Sequence, residues 1–537
     1  MKTMNKYVNV NKRDLRLALK EALRPMMTFF DPNHGNIPYF ANCMTGENWG
    51  NAHSTTFSMA HIPGRWLNGL LNAEDVLGKE NAALNEEAVQ TLGRWARYSI
   101  SASKLGFPPC IDEDTTKPIL KTDLHNLREV MHALTALVQF RGDEEARTCG
   151  MQLIDAVDRY FDYASGQFRE ELWRQETGGS LFKWGALHAD EITFPVTFGR
   201  YIGPLVKFYK ATGEVRALQQ AISLKDVCFR DVLNEKGDYD VRIHGSHTHS
   251  TTAMISSLAI LGDVLRDRTI LDRCRAFVEN GLNQIAVDFG WCIENYARQD
   301  DVGEINNTAD ILETCLILGK WGYPGYYARA ERILRAHLLP SQLLDTHFIE
   351  DPDDENCPAR YRMASRSKGA FGFPCPYGHE DHEGARVSFN WDIVGGGSEG
   401  LCEAIRGQCT LKGALYSVNL LFDTDNAAFT FRNPYDGNGV AEINMHQPVK
   451  ALRIRMPGNC KGVTVENAES YINGEWLYLC GMEAGGTVRI FYDFEDRVVA
   501  TPFRGKFYTL RWHGEEVTGA VSRGKRLCYF PEIEAVV

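Results

Sequence analysis

The chain has 537 residues, 44% of them apolar and 24% charged, with 58 Lys and Arg against 70 Asp and Glu for a net charge of −12. This balance excludes a disordered or fibrous chain, and the negative field disfavours nucleic acid and anionic membrane surfaces as partners. The 27 Phe, 21 Tyr and 10 Trp suit a carbohydrate-stacking cleft as well as a large core.

The first ten residues carry no apolar stretch of a secretory signal, and no run approaches the roughly 18 apolar residues that span a bilayer. A cytoplasmic location with reduced thiols is therefore expected. The 14 cysteines are scattered without a CxxC pair, as small buried hydrophobes would be. His53-Ser54-Thr55-Thr56 and His61-Ile62-Pro63-Gly64-Arg65-Trp66 can lend a loop to a cleft. Arg65 can grip a carboxylate bidentately, although a helical Arg lying along its own apolar neighbours is the plainer reading. From there to about residue 415 the pattern is helical: 124–139, 152–163, 202–212, 271–285, 311–320 and 326–338 all carry apolar stripes. Met254, Leu258, Leu261 and Leu265 draw such a stripe behind Ser250, Thr251 and Thr252. Segments of this length, repeated about a dozen times, predict a closed ring of helical hairpins with loops converging on a central cleft. The loop-rich stretch 345–398 is expected to form one wall of that cleft. Beyond about residue 420, short alternating runs at 428–432, 451–456, 462–465, 476–480, 488–494 and 507–512 predict an antiparallel β-sandwich. The expected division is thus a helical domain over 1–415 and a β-sandwich domain over 416–537.

Several blocks occur in an order that resembles one family. They are the helix 205–213 ending in Thr212-Gly213, His249-Ser250-Thr251-Thr252, Cys292-Ile293-Glu294-Asn295-Tyr296, Glu313-Thr314-Cys315 and the helix starting at Tyr327-Ala328. In the strand-rich part they are Leu452-Arg453-Ile454-Arg455-Met456-Pro457, Asn473-Gly474 and Gly485-Gly486-Thr487-Val488. In this order the chain is similar to the bacterial β-L-arabinofuranosidase-type glycoside hydrolases, which implies an (α/α)6 barrel followed by a β-sandwich and a glycosidase activity. The resemblance also implies that Glu294 is the general acid/base. In that family a Glu-x-Cys element joins two adjacent cysteines further along to hold zinc, one of them the nucleophile. The stretch 389–400, where the pair belongs, has no cysteine. The thiol mechanism is therefore not expected here, and neither a cofactor nor a metal is assigned.

Glu294, flanked by Trp291, can have its pKa raised by desolvation and protonate a glycosidic oxygen; the alternative is a salt bridge to Arg298 at i+4. Asp392, beside Trp391 and a triple glycine, is the candidate second carboxylate, or else closes a glycine turn. His244, His247 and His249 form the densest polar cluster, able to bind hydroxyls, shuttle protons or ligate a metal. His249 is placed with Glu294 and Asp392 as catalytic, and His247, Trp391, Trp291, Tyr296 and Arg65 as substrate-binding. The run His379-Glu380-Asp381-His382-Glu383 has ligands enough for a metal but not the spacing of zinc proteases, and reads as a solvated loop. The expected function is hydrolysis of a glycosidic bond in a plant or microbial oligosaccharide by carboxylate acid/base chemistry. A lyase on the same barrel, or a non-catalytic carbohydrate-binding relative, are the alternatives. Association into a homo-oligomer is left open.

Overall fold

The computed structural model describes residues 14–183, 192–298, 301–374, 388–433, 435 and 440–520, and the backbone of 534–535. Cys375 and the His379–His382 run lie outside the described residues. Twelve helices alternate between an outer and an inner layer. The outer ones are α1 (Leu15–Met26), α3 (Glu86–Ser101), α5 (Glu144–Tyr160), α7 (Val215–Asp231), α9 (Arg268–Glu279) and α11 (Gly325–Ile333). The inner ones are α2 (His61–Leu77), α4 (Leu127–Arg141), α6 (Ile202–Thr212), α8 (Thr248–Leu265), α10 (Ile305–Lys320) and α12 (Asp392–Gln408). The inner six pack in the order α2, α4, α6, α8, α10, α12 and back to α2, which closes the ring. This is the (α/α)6 barrel expected from the sequence.

The two layers differ as their sequences do. In α5 the buried residues Ala146, Cys149, Leu153, Ile154, Val157 and Tyr160 fall on one face, the stripe of a surface helix. In α8 every residue from Thr248 to Ala259 is buried, as in a helix surrounded by protein. Gly395, Gly396 and Gly397 do not form a turn. They lie inside α12, where a Cβ would stand 2.6 Å from Arg65 O, 1.9 Å from Asn306 Oδ1 and 2.4 Å from the Phe371 ring. The glycines let α2 and α10 approach α12 more closely than any side chain would allow.

Short strands also lie among the helices, as at Phe30–Asp31 and Ala41–Cys43, but the large sheets begin at Cys409, from which strands are numbered here. The first sheet orders β1 (Cys409–Lys412), β2 (Leu415–Val418), β6 (Val449–Arg455), β9 (Trp476–Met482) and β8 (Glu469–Asn473), with β2 and β6 parallel. The second orders β3 (Thr424–Asp425), β4 (Phe429–Arg432), β5 (Val440–Met445), β10 (Thr487–Phe494) and β7 (Cys460–Glu466). Leu452, Ile454, Leu477 and Leu479 of the first sheet meet Phe429, Phe431, Ile443 and Ile490 of the second in one core, which makes the sandwich. A third sheet of β11 (Asp496–Phe503), β12 (Lys506–His513), β13 (Glu516–Ala520) and β14 (Glu534–Ala535) is separate. Its Phe503, Tyr508, Leu510 and Trp512 join the barrel core instead, with Phe503 at 5.4 Å from Trp291. Buried Glu331 accepts hydrogen bonds from Arg335 at 2.9 Å and from Arg455 of β6, and so ties α11 to the sandwich.

Candidate active site

Because outer and inner helices alternate strictly, all six inner helices run in one direction and their N-terminal ends gather at one mouth of the barrel. The chemistry-bearing side chains gather with them. His61 and Arg65 come from α2, Arg128 and Glu129 from α4, His247 and His249 from the start of α8, and Glu304, Asn306 and Asp310 from the start of α10. His125 and Arg200 precede α4 and α6, and Asp392 opens α12. No inner helix has a side-chain N-cap, and backbone carbonyls take the first N–H groups of several of them, but the positive ends of the helix dipoles still gather at this mouth and favour anionic groups there.

Two carboxyl groups stand out. Asn306 Nδ2 donates to Glu304 Oε1 at 2.6 Å and to Asp392 Oδ2 at 3.1 Å, so those two oxygens lie no more than about 5.7 Å apart. Their environments push them in opposite directions. Burial, and then the neighbouring Asp392 and Glu294 carboxylates, hold the Glu304 pKa well above the ordinary range. Burial also works to raise Asp392, but it is outweighed by the hydrogen bond from His61, at 3.4 Å, by the Arg65 charge and by Asn306, and the pKa lies below the ordinary value. Burial thus favours the protonated form of Glu304, while its neighbours favour the ionised form of Asp392.

Around this pair the cations converge on Glu129, although Arg65 Nε, Arg128 Nε and Arg200 Nε are buried without a hydrogen-bond partner. Glu129 takes Arg200, Arg128 at 3.0 Å and Arg65 at 3.3 Å, and although burial opposes ionisation these guanidinium groups keep it ionised. Arg200, buried among other cations, is lowered to about 10. Arg65 Nη2 donates to His249 Nε2 at 2.8 Å. Since arginine only donates, the His249 proton sits on Nδ1, which faces Glu304 Oε1 at 3.7 Å. Burial, then Arg200 and Arg65, hold His249 well below the usual histidine range, and burial with Arg200 does the same to His125. Asp310, raised by burial to about 6, lies 3.3 Å from His249 Nε2 and accepts from Thr252 at 3.1 Å.

The structure brings His249, Asp392, Arg65 and His247 into this group and leaves Glu294 at its edge. Glu294 pairs with Arg298 at 2.7 Å, the i+4 contact read as the alternative from the sequence. His247 and Glu294, each with about 15% of the side chain exposed, lie nearest to solvent in this group. Trp391 is enclosed, stacked on Phe29 at 4.1 Å with its indole N–H donated to Asn51, and Trp291 is enclosed with its N–H on Pro374 O. Neither ring offers a face to a sugar in this arrangement. Tyr296 packs on Tyr239 at 5.2 Å under the Arg504 guanidinium. Glu304, Asn306, Glu129 and Asp310 were not singled out from the sequence. The signal was present in Glu304-Ile305-Asn306-Asn307-Thr308-Ala309-Asp310, a polar run opening an otherwise apolar helix.

Glu313 and Cys315, matched from the sequence to the Glu-x-Cys element, lie in mid-α10, with the Cys315 thiol pushed up to about 11 by burial. It is Glu304-x-Asn306, with the same spacing, that meets the 389–400 stretch at Asp392. A thiolate zinc set does not fit these residues: Cys292, beside Thr248, is fully buried and its pKa is raised by that burial. His247, His249 and Glu304 have donor atoms within 4.8 Å of one another, the spacing a divalent cation requires. The Arg65 guanidinium, 2.8 Å from His249, opposes a cation at that point.

Among solved structures the chain shares its fold with the six-hairpin (α/α)6 enzymes. It matches a GH127 β-arabinofuranosidase with TM-score 0.58 at 13% identity, over 94% of this chain and 81% of that one. It matches a GH127 β-L-arabinofuranosidase from Geobacillus stearothermophilus with TM-score 0.53 at 14% identity, over 93% and 80%. A cellobiose 2-epimerase from Spirochaeta thermophila matches with TM-score 0.53 at 16% identity, over 74% and 98%. No family model and no curated protein sequence matches the chain. The resemblance read from the sequence is thus borne out as one of fold.

Proposed function

We propose that this chain is a carbohydrate-active enzyme that hydrolyses a glycosidic bond with Glu304 as general acid/base and Asp392 as nucleophile. The observation that carries this reading is a pair of carboxyl groups with oxygens within about 5.7 Å of each other, linked by the one amide of Asn306 and pushed in opposite pKa directions. Paired carboxyl groups whose environments separate their pKa values are how glycosidases divide the roles of acid and nucleophile. Retaining enzymes hold them about 5–5.5 Å apart, inverting ones about 6.5–9.5 Å, and the spacing here favours retention. Glu304 gives its proton to the leaving oxygen as Asp392 bonds to the anomeric carbon and the glycosidic bond breaks. Glu304, now a carboxylate, takes a proton from water, whose oxygen displaces Asp392. His249 Nδ1–H, facing Glu304, supports the charge that Glu304 gains. Glu294, His247 and Arg298, nearest to solvent, contact sugar hydroxyls.

The lyase reading draws support from the neutral histidines, which suit a base that removes a proton beside a uronate. It also needs a guanidinium for the uronate carboxylate, and Arg65, Arg128 and Arg200 all converge on Glu129 instead.

The test is a panel of aryl and oligosaccharide glycosides with product stereochemistry followed by NMR. Glu304→Gln is expected to lower kcat by about 10²–10⁴-fold, most on poor leaving groups, while Glu294→Gln acts mainly on KM. Activity should decline as pH rises through the raised Glu304 pKa, because the acid is then lost, and as pH falls through the Asp392 pKa, because the nucleophile is then protonated. Full activity in Glu304→Gln, inversion at the anomeric carbon, or an unsaturated product would each sink this assignment.

A further inference from the structure

The His53 motif singled out in the sequence has no part in the site above, yet it lies in a second cluster with metal-ligating chemistry. Asp31 and His34 sit on a hairpin in which Phe30–Asp31 pairs with Ile37–Pro38. His53 follows Gly50–Ala52, which pairs with Ala41–Cys43, itself paired with Ser388–Asn390 just ahead of Asp392. His34 Nδ1 lies 2.8 Å and His53 Nε2 2.7 Å from the same oxygen, Asp31 Oδ2. One donor atom from each of the three residues falls within 4.8 Å of the other two.

We propose that Asp31, His34 and His53 bind one divalent transition-metal ion, with zinc as the representative ion, which pins the 30–38 hairpin to the sheet leading into Asp392. Two imidazoles and a carboxylate are a borderline-soft N/O donor set that suits zinc better than calcium or magnesium. The groups around the cluster prepare it. Asp31 Oδ1 accepts from Asn33 N at 2.9 Å, which fixes the carboxylate and leaves Oδ2 turned to both rings. Tyr39 stacks on His53 at 4.8 Å and holds that ring in place. Ligand atoms around tetrahedral zinc, with bonds of about 2.0–2.1 Å, sit roughly 3.3 Å apart, so Asp31 Oδ2 and each ring must part by about half an ångström to admit the ion. His34, with 36% of its side chain exposed, is free to swing by that amount, and the same exposed side leaves the fourth position to water. The hairpin reaches the proposed nucleophile through packing, since Phe29 stacks on Trp391 at 4.1 Å and Trp391 N bonds Phe40 O at 2.6 Å.

The test uses the full chain stripped with a chelator and titrated with Zn²⁺ against a chromophoric competitor, with Co²⁺ as a spectroscopic probe of the same site. Wild type should bind one equivalent more than His53→Ala and Asp31→Asn, and zinc should raise the melting temperature of wild type only. His247→Ala should keep that equivalent, which separates this cluster from the candidate active site. His34→Ala, at an exposed position, serves if His53→Ala does not fold. Wild type that binds no zinc, or variants that bind as many equivalents as wild type, would overturn the proposal.

Discussion

Glu304 and Asp392 at the N-terminal mouth of the barrel share the amide of Asn306, whereas Glu313 and Glu399, halfway along the inner helices, share the ammonium of Lys207. Lys207 Nζ lies 2.7 Å from Glu399 and 3.5 Å from Glu313. In both pairs one carboxyl is raised and the other depressed. Burial brings Glu313 to about 7 against the pull of Lys207, while Glu399, despite its burial, is held well below the ordinary range by Lys207 and its other cationic neighbours. Opposed pKa shifts are therefore not by themselves a mark of catalysis. The difference lies in what holds the ionised member. Lys207 saturates Glu399 with a formal charge inside helix packing, and only a cavity of about 300 Å³ at the C-terminal ends of α6, α8, α10 and α12 opens beside it. Asp392 Oδ2 is held by the Asn306 amide and by His61 at 3.4 Å, with the Arg65 charge acting on it at longer range.

This contrast can be broken by substitution, and the largest effect is expected at Asp392. Asp392→Asn should cost at least about 10⁴-fold in turnover while leaving the unfolding free energy within about 1 kcal/mol, read by kinetics and denaturant titration. Wild-type turnover in that variant would put both carboxylate pairs in the same structural category. Lys207→Met should do the reverse, since it strands a buried carboxylate. A stability loss of about 3–5 kcal/mol is expected with kcat and KM unchanged on the same glycoside.

Gly396→Ala sharpens the comparison from the packing side. Its Cβ would fall 1.9 Å from Asn306 Oδ1 and displace the amide shared by Glu304 and Asp392. Turnover should drop by about 10–100-fold with a stability loss of about 1–3 kcal/mol. The smallest effect concerns Glu313. Its folded pKa of about 7 lies above the ordinary glutamate value, so the folded state holds an extra proton between the two. The stability this contributes is complete below the ordinary value and is lost as pH rises through about 7. Glu313→Gln should flatten that slope in melting curves measured across that range, with turnover unchanged.

Much of the architecture was legible in the residue pattern. The one-sided stripe of α5 and the apolar run of α8 distinguish a surface helix from an enclosed one, and period-2 runs after residue 420 mark the strands. The separate sheet built on 507–512 was not legible, because a strand that packs on a barrel alternates in the same way as one that packs in a sandwich. At the site, Asp392, His249 and Arg65 were visible as polar residues beside glycine or aromatic neighbours. Glu304 was not, since its setting comes from Asp392, 88 positions away, and from helices that meet only when the ring closes.

By itself the sequence determined the two-part architecture, the lack of a cysteine pair in 389–400 and a set of carboxylates and histidines from which a site could be built. These depend on local periodicity and residue identity, which one stretch of chain carries alone. Only the tertiary structure decided which glutamate is buried beside a second carboxylate and has its pKa pushed up. Glu294 and Glu304 are ten residues apart and chemically identical, but one meets Arg298 nearer to solvent, and the other is buried against Asp392 and Asn306. Desolvation and the sign of the nearest charge set a carboxyl's pKa, and both are properties of the closed barrel.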